Sequence, residues 1–176
     1  YPGFPGLNLT WEVREAFAHH SKSNDKMLDR YKSVGMPFLE AQVADEIDSL
    51  AYNSHDVEDA LSAGLITETD IMDIQIWRQT YNDIIRQYPS IPSGTRVPTI
   101  VRKMIDTQVT DLIFQSRENF KNERIDSVEA VRRSKNLLIG MSTKMRELRK
   151  ELESFLHRQV YKNTRVQRMA QKGRRI

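Results

Sequence analysis

Residues 48–64, DSLAYNSHDVEDALSAG, concentrate side chains that could do chemistry. His55 and Asp56 are adjacent, and a His-Asp pair can bind a divalent metal ion. Asp48, at the start of the same stretch, adds a second carboxylate. The segment is therefore a metal site, part of one, or only the solvated face of a helix.

The spacing of three of these residues favours a shared helical ridge. On an α-helix, successive residues turn by about 100°, so Asp48, Tyr52 and Asp56 fall within a narrow arc. A carboxylate, a phenol and a second carboxylate on one ridge could hold a metal ion and a hydroxylated ligand. An acidic row opposite an apolar stripe is also typical of an ordinary surface helix. Both interpretations stay open, and Tyr52 favours the functional one because an aromatic side chain is unexpected on a polar face.

The His55-Asp56 pair is not predicted to be a metal-binding dyad. A metal site built on such a pair also needs an upstream His and a later Asp. The other histidines are His19, His20 and His157, and none has a supporting pattern. His19 and His20 end a predicted helix, and His157 lies in a basic amphipathic segment. A complete ligand set cannot be assembled from this chain.

The sequence predicts that helices position these residues. Apolar residues recur with helical periodicity, and sustained strand alternation is missing from the sequence, which predicts an all-α fold. Thr10 and Thr67 are predicted N-caps, Gly64 is a predicted helix-ending glycine, and Pro98 is predicted to open a long helix. Residues 21–37 are predicted to be a loop. The predicted helices cover residues 11–20, 38–53, 57–64, 68–87, 99–120, 127–134, 142–163 and a last segment from 164.

Two apolar stripes indicate the predicted core. The first helix is expected to bury Trp11, Val13, Phe17 and Ala18. The clearest amphipathic helix places its apolar residues on one face: Met145, Leu148, Leu152, Phe155 and Leu156. Asp111, in the apolar segment VTDLI, is expected to be structural and bonded to a nearby backbone group or arginine. No domain boundary is evident, so residues 1–176 are predicted to form one all-helical region.

Composition limits the possible sites. The 176 residues include no cysteine, so any metal must be held by His, Asp or Glu.

Charge is distributed unevenly along the chain. Residues 1–90 carry 7 Lys and Arg against 15 Asp and Glu, whereas residues 91–176 carry 20 Lys and Arg against 9 Asp and Glu. The last nineteen residues, 158–176, hold seven basic side chains and no acidic one. They are read as a solvated basic helix, or as a surface for nucleic acid, an effector nucleotide or another subunit. No apolar run is long enough to cross a membrane, and a cytoplasmic location is expected.

Three segments together resemble a known family: PGLNLTWEVRE, EAQVADEIDSLAYNSHDVEDALSAGLI and VRKMIDTQVTDLI. They are similar, in order, to the C-terminal two-thirds of bacterial deoxyguanosinetriphosphate triphosphohydrolase-like proteins of the HD superfamily. The likeness is weakest from about residue 119 to the end. It implies a multi-helix HD-type bundle, here lacking the N-terminal helices that carry the other metal ligands.

The resemblance assigns roles to individual residues. In that family a His, a His-Asp pair and a final Asp hold a divalent metal, and the final Asp begins an Asp-x-x-x-Tyr-x-x-x-Asp pattern. Asp48 matches the last metal ligand, while Tyr52 and Asp56 match the groups that receive the deoxyribose. Arg96 aligns with a phosphate-contacting arginine. The remaining ligands and the catalytic groups are expected upstream of Tyr1.

The implied reaction is metal-dependent hydrolysis of a deoxynucleoside triphosphate to the deoxynucleoside and inorganic triphosphate. Magnesium or manganese is the expected metal, and the expected partners are the dNTP substrate, further copies of the chain and an effector nucleotide. The alternative is a catalytically incomplete helical module that binds single-stranded nucleic acid or a regulatory nucleotide through its basic C-terminal half. No membrane partner is expected.

Overall fold

The computed structural model describes residues 2–3, 5–21, 30–31 and 35–173. No strand occurs in these ranges, which confirms the all-α prediction. Within them, no helix combines the length and apolar character needed to traverse a bilayer. The predicted loop at 21–37 lies mostly outside the described residues. The helices are α1 (Trp11–His20), α2 (Leu39–Ser62), α3 (Glu68–Ile71), α4 (Gln75–Gln87), α5 (Ser93–Asn122), α6 (Val128–Arg133), α7 (Thr143–Leu156) and α8 (Thr164–Gly173), with a π turn at His157–Tyr161.

Helix α2 is continuous where two helices were predicted. The segment between residues 53 and 57 holds no glycine or proline, so nothing in the backbone interrupts the helix. Ser54 instead bonds back to the Leu50 carbonyl at 2.9 Å, which a helix accommodates. Gly64 follows the helix with φ +62°, as predicted for its terminating glycine. The continuity of α2 places Asp48 and Asp56 on the same helix.

The predicted helix 68–87 is instead broken into α3 and α4. Thr67 caps α3 as predicted, since its hydroxyl accepts from the Asp70 amide and Asp70 accepts from the Thr67 amide in return. The break follows because the Gln75 amide donates to Glu151 Oε2 at 2.9 Å. That long-range bond takes the place of a helical one at the start of α4.

Helix α5 begins before Pro98, although Pro98 was predicted to open it. The amides of Thr95 and Arg96 both donate to the Pro92 carbonyl, at 3.1 and 3.0 Å, so the first turn forms upstream of the proline. Pro98 lies inside the helix and removes one backbone donor. Arg96 is consequently a residue of the first turns of α5.

The described residues form two compact units, and the first comprises Tyr1–Ile47 with Phe114–Gly140. Its α1 helix does not bury the predicted stripe. Ala18 is buried, but Trp11, Val13 and Phe17 are 46%, 41% and 60% exposed. Glu15 is fully buried instead and lies 2.7 Å from Arg132 Nη1. This ion pair sets the inward face of α1, which turns Val13 and Phe17 to the opposite side.

Arg132 also fixes the segment that enters α2. Its guanidinium donates to the Met36 carbonyl at 2.5 Å and lies over the Phe38 ring, 4.5 Å from the centroid. Gly35 has φ +106°, and a β-carbon there would lie 2.5 Å from the Arg132 carbonyl oxygen. Only glycine allows this close approach. The buried Gln42 amide completes the arrangement by accepting from the Leu138 amide at 2.8 Å.

The second unit comprises Asp48–Ile113 with Met141–Ile176. In it α4 packs against α7, and the predicted stripe of α7 is buried as expected. The largest fully buried side chains of this unit are Trp77, Leu50, Ile71, Ile76, Ile100, Met104, Met141, Leu152, Leu156 and Gln108. This core holds the helices that carry the predicted site residues.

Asp111 joins α5 to the start of α7, which confirms its predicted structural role. Its two carboxylate oxygens accept from the amide and the hydroxyl of Ser142, at 2.8 and 2.7 Å. Ser142 in turn caps α7 by accepting from the Met145 amide at 3.2 Å. The carboxylate therefore orients the residue that begins α7.

Replacing Asp111 with alanine is expected to lower the free energy of unfolding by about 2–3 kcal/mol, because two bonds to a charged group are lost. Chemical denaturation followed by circular dichroism measures the change. Asp106→Ala is the matched control, since Asp106 is an exposed acid of the same helix that pairs with Lys103. Equal effects of the two substitutions would contradict the assigned role of Asp111.

Candidate functional site

The predicted ridge exists on the solvent side of α2. Asp48 is exposed, Tyr52 is 57% exposed and Asp56 is partly buried. The helix turns Leu50 and Val57, on its other side, into the core. His55 is exposed beside the ridge. An extended molecule could therefore reach the phenol and both carboxylates from one side.

Asp48 has the character of an available ligand. Among the described residues, its carboxylate makes no side-chain hydrogen bond and no ion pair. An ionised carboxylate accepts bonds through both oxygens and suits a hard divalent cation. Within the described part of the chain, however, no three His, Asp or Glu side chains converge to hold a metal. The described residues therefore do not form a complete metal site, and the role of Asp48 as a metal ligand stays a prediction.

Asp56 has one occupied and one open oxygen. Its Oδ2 accepts a short hydrogen bond from the Tyr161 hydroxyl, which comes from the π turn after α7. Among the described side chains none donates to Oδ1. Tyr161 therefore fixes the orientation of the carboxylate and leaves the other oxygen able to accept from a ligand hydroxyl.

Two further rings lie near Tyr161, the residue that donates to this carboxylate. The Tyr52 and Tyr161 ring centroids are 6.3 Å apart, and the His157 ring meets Tyr161 edge-on at 6.5 Å. Burial, followed by the hydrogen bond to Asp56, raises the pKa of the Tyr161 phenol far above its usual range. Tyr161 thus remains a neutral donor to Asp56. A flat or ring-shaped ligand could pack against these rings while bonding to the carboxylate.

Neither Tyr161 nor His157 was predicted from the sequence to belong to the site. They lie more than a hundred positions from Asp56, and no local spacing connects them to α2. Their only sequence signal is their own separation of four residues at the end of an amphipathic helix, which puts two rings near each other. That signal gives no partner, so the contact with Asp56 emerges only in the folded unit.

Among the described residues, Arg96 bonds to Glu68 and not to a side chain of α2. Its Nε and Nη2 donate to the two oxygens of Glu68, at 3.1 and 2.7 Å. This hydrogen bond raises the pKa of the already basic guanidinium. Among the described residues Nη1 bonds to no carboxylate. The predicted contact between Arg96 and a phosphate stays a prediction.

No family model matches the chain. Curated proteins do match it over nearly its whole length, several of them named deoxyguanosinetriphosphate triphosphohydrolase-like protein. The relative from Geobacter metallireducens is 35% identical over 178 aligned positions, which cover 99% of this chain and 46% of that protein. The relative from Nitrosomonas europaea is 38% identical over 179 aligned positions, which cover 99% of this chain and 48% of that protein. The relative from Bordetella pertussis is 35% identical over 181 aligned positions, which cover 100% of this chain and 47% of that protein.

These matches confirm the resemblance predicted from the sequence motifs. The chain spans about half the length of the curated relatives it matches. That coverage agrees with the expectation that the chain corresponds to a portion of such a protein. The match includes the whole α2 segment, because it extends over essentially every residue of the chain.

Proposed function

We propose that this chain is part of a metal-dependent hydrolase that converts a deoxynucleoside triphosphate to the deoxynucleoside and inorganic triphosphate. The observation that carries the proposal is the α2 ridge, where, among the described residues, Asp48 has no side-chain partner and no side chain donates to Asp56 Oδ1. The names of the curated relatives support the class of reaction. The half of those proteins that this chain does not span is the proposed source of the remaining metal ligands.

Asp48 is proposed to hold the metal through its free carboxylate. A bound divalent ion would lower the pKa of a coordinated water and polarise a phosphoryl oxygen. Magnesium or manganese suits an oxygen ligand of this kind. The role of Asp48 is to supply negative charge at a fixed place on a rigid helix, since α2 is continuous through this position.

Asp56 and Tyr52 are proposed to receive the deoxyribose. Asp56 Oδ1 would accept from the 3′-hydroxyl, and the Tyr161 hydroxyl, which donates to Oδ2, would hold the carboxylate in place. The exposed Tyr52 ring offers a surface for the sugar. A nucleotide without a 3′-hydroxyl would leave the Asp56 oxygen without that bond. We expect such an analogue to bind about 10- to 100-fold more weakly.

Arg96 is proposed to contact the triphosphate. Glu68 occupies Nε and Nη2, so the two N–H groups of Nη1 are the donors that a phosphate would use. The ion pair with Glu68 then holds the guanidinium in place. Assembly with further copies of the chain and control by an effector nucleotide belong to the same proposal and rest on the family resemblance.

The products identify the reaction. The protein in its natural length is incubated with each of the four dNTPs and either magnesium or manganese, and the products are separated by ion-exchange chromatography. We expect deoxynucleoside and inorganic triphosphate in equal amounts, and slower turnover of the 2′,3′-dideoxy analogues. Release of pyrophosphate or orthophosphate as the first product, or no turnover, would contradict the proposal.

A second candidate function is supported by α8. None of its residues is buried, and Arg165, Arg168 and Lys172 fall within one arc of about 60°. Acidic side chains do not occur anywhere from residue 158 to the end of the sequence. A continuous row of cations on an exposed helix matches the phosphate backbone of single-stranded nucleic acid.

Removing two of these cations tests this candidate. If α8 binds nucleic acid, Arg168→Ala with Lys172→Ala is expected to reduce the slope of log affinity against log salt by about two. Fluorescence anisotropy with a labelled oligonucleotide measures that slope. Gln171→Ala changes an exposed residue of the same helix without removing a charge and is the matched control. An unchanged slope in the cation variant would exclude α8 as the binding surface.

A further inference from the structure

The buried stripe of α7 changes phase where the π turn begins. Leu152 is fully buried, and in an uninterrupted α-helix Gln159 would lie about 20° from it, whereas Val160 would lie about 80° away. The structure has the opposite order. Gln159 is exposed and Val160 is 6% exposed. Something between residues 156 and 160 therefore shifts the helix by one residue relative to the core.

The π turn at His157–Tyr161 produces this shift. The Lys162 amide donates to the His157 carbonyl at 3.3 Å, which is the i+5 to i bond of a π-helix. A π turn contains more residues than an α turn, so one additional side chain is accommodated before the next inward position. The physical reason lies in the residue types, since the wider turn buries a valine and leaves a glutamine in water.

The same shift decides where Tyr161 points. In an uninterrupted α-helix, Tyr161 would lie about 180° from Leu152, directly away from the core. In the structure Tyr161 is partly buried, its hydroxyl bonds to Asp56, and its ring contacts His157 edge-on. The π turn therefore brings Tyr161 toward α2 and away from the solvent side of its own helix.

We propose that the π turn at His157–Tyr161 is a positioning device that aims Tyr161 at Asp56 and thereby completes the sugar-binding side of the α2 ridge. The identity of the ligand as a deoxyribose rests on the function proposed above. The role of the π turn in placing Tyr161 beside Asp56 does not depend on that function. The sequence encodes the device in two adjacent residues, Gln159 and Val160. Exchanging them removes the reason for the wider turn without changing length or composition.

The test is the double substitution Gln159→Val with Val160→Gln, made in the protein of natural length. The valine then occupies the α-helical inward position, so the helix is expected to continue as α and to release Tyr161 from Asp56. Ring-labelled tyrosine NMR, with the Tyr161 signal assigned by Tyr161→Phe, reports the phenol directly. We expect it to titrate near pH 10, as an ordinary tyrosine does, whereas in the unaltered protein it resists deprotonation. We also expect KM for the dNTP to rise about tenfold with a smaller change in kcat.

The single substitution Gln159→Ala is the matched control, because it leaves Val160 as the inward residue and preserves the π turn. If the double variant does not fold, Gln159→Leu is tested instead. It places an apolar residue at the position that an uninterrupted α-helix would bury and keeps Val160. The Tyr161 titration and KM are then measured in the same way. A Tyr161 phenol that still resists titration in the folded variant, or a released phenol with unchanged KM, would overturn the proposal. Absence of triphosphate release from the unaltered protein would refute the proposed function alone, because the titration still decides the role of the turn.

Discussion

Replacing Asp48 with asparagine is expected to lower the rate of triphosphate release by roughly a thousand-fold or more. The amide cannot supply the negative charge that the proposed metal site needs, and metal-assisted stabilisation of a transition state contributes several kcal/mol. Because Asp48 is exposed and has no side-chain partner among the described residues, the free energy of unfolding should change by less than about 0.5 kcal/mol. Steady-state release of triphosphate and a thermal melt measure the two quantities.

Glu58→Gln is the matched control for this substitution. Glu58 is an acid of the same helix α2 that lies off the ridge, about 120° around from Tyr52. We expect this variant to retain full activity. Equal activity of the Asp48 and Glu58 variants would remove Asp48 from the reaction, and a large loss of stability in Asp48→Asn would show that the residue is structural.

Replacing Arg132 with methionine is expected to lower the free energy of unfolding by about 3–5 kcal/mol. The substitution removes the cation nearest to the fully buried Glu15 carboxylate and leaves the His19 ring, 3.9 Å away, as its described partner. A poorly compensated buried charge is strongly destabilising. The pair is close, with Arg132 Nη1 2.7 Å from Glu15 Oε1. The bond to the Met36 carbonyl is lost as well.

The double variant Glu15→Met with Arg132→Met separates charge from packing. Removing both charges together is expected to recover much of the lost stability, because no buried charge is then left unpaired. Denaturant titrations of the single and double variants give the coupling free energy. A single variant within about 1 kcal/mol of the unaltered protein, or a double variant no more stable than the single one, would contradict this account.

Local chemistry allowed much of the fold to be predicted. Thr67 caps α3 and Gly64 ends α2 because a hydroxyl acceptor and a positive φ are properties of those residues themselves. The helix break before Gln75 could not be predicted, because the group that takes its amide, Glu151, lies 76 positions away. The apolar stripe of α1 was predicted to be buried, and this prediction was wrong. The cause is again a residue distant in sequence, because Arg132 pairs with Glu15 and sets the buried face of α1.

In the candidate site, too, the features set by neighbouring residues were predicted and those set by distant residues were not. Asp48, Tyr52 and Asp56 lie on one helix, so their spacing alone predicted that they share a ridge. Tyr161 was not predicted because two independent features place it beside Asp56. One is the folding of α7 against the rest of its unit, and the other is a π turn that ordinary helical periodicity does not anticipate.

The central claim is that the α2 ridge receives the metal and the sugar of a deoxynucleotide. A crystal structure of the natural-length protein with manganese and a non-hydrolysable dNTP analogue tests it most directly. The account predicts an Asp48 oxygen within about 2.2 Å of the metal and Asp56 Oδ1 within hydrogen-bond distance of the 3′-hydroxyl. A nucleotide bound elsewhere, with both carboxylates left in solvent, would contradict it.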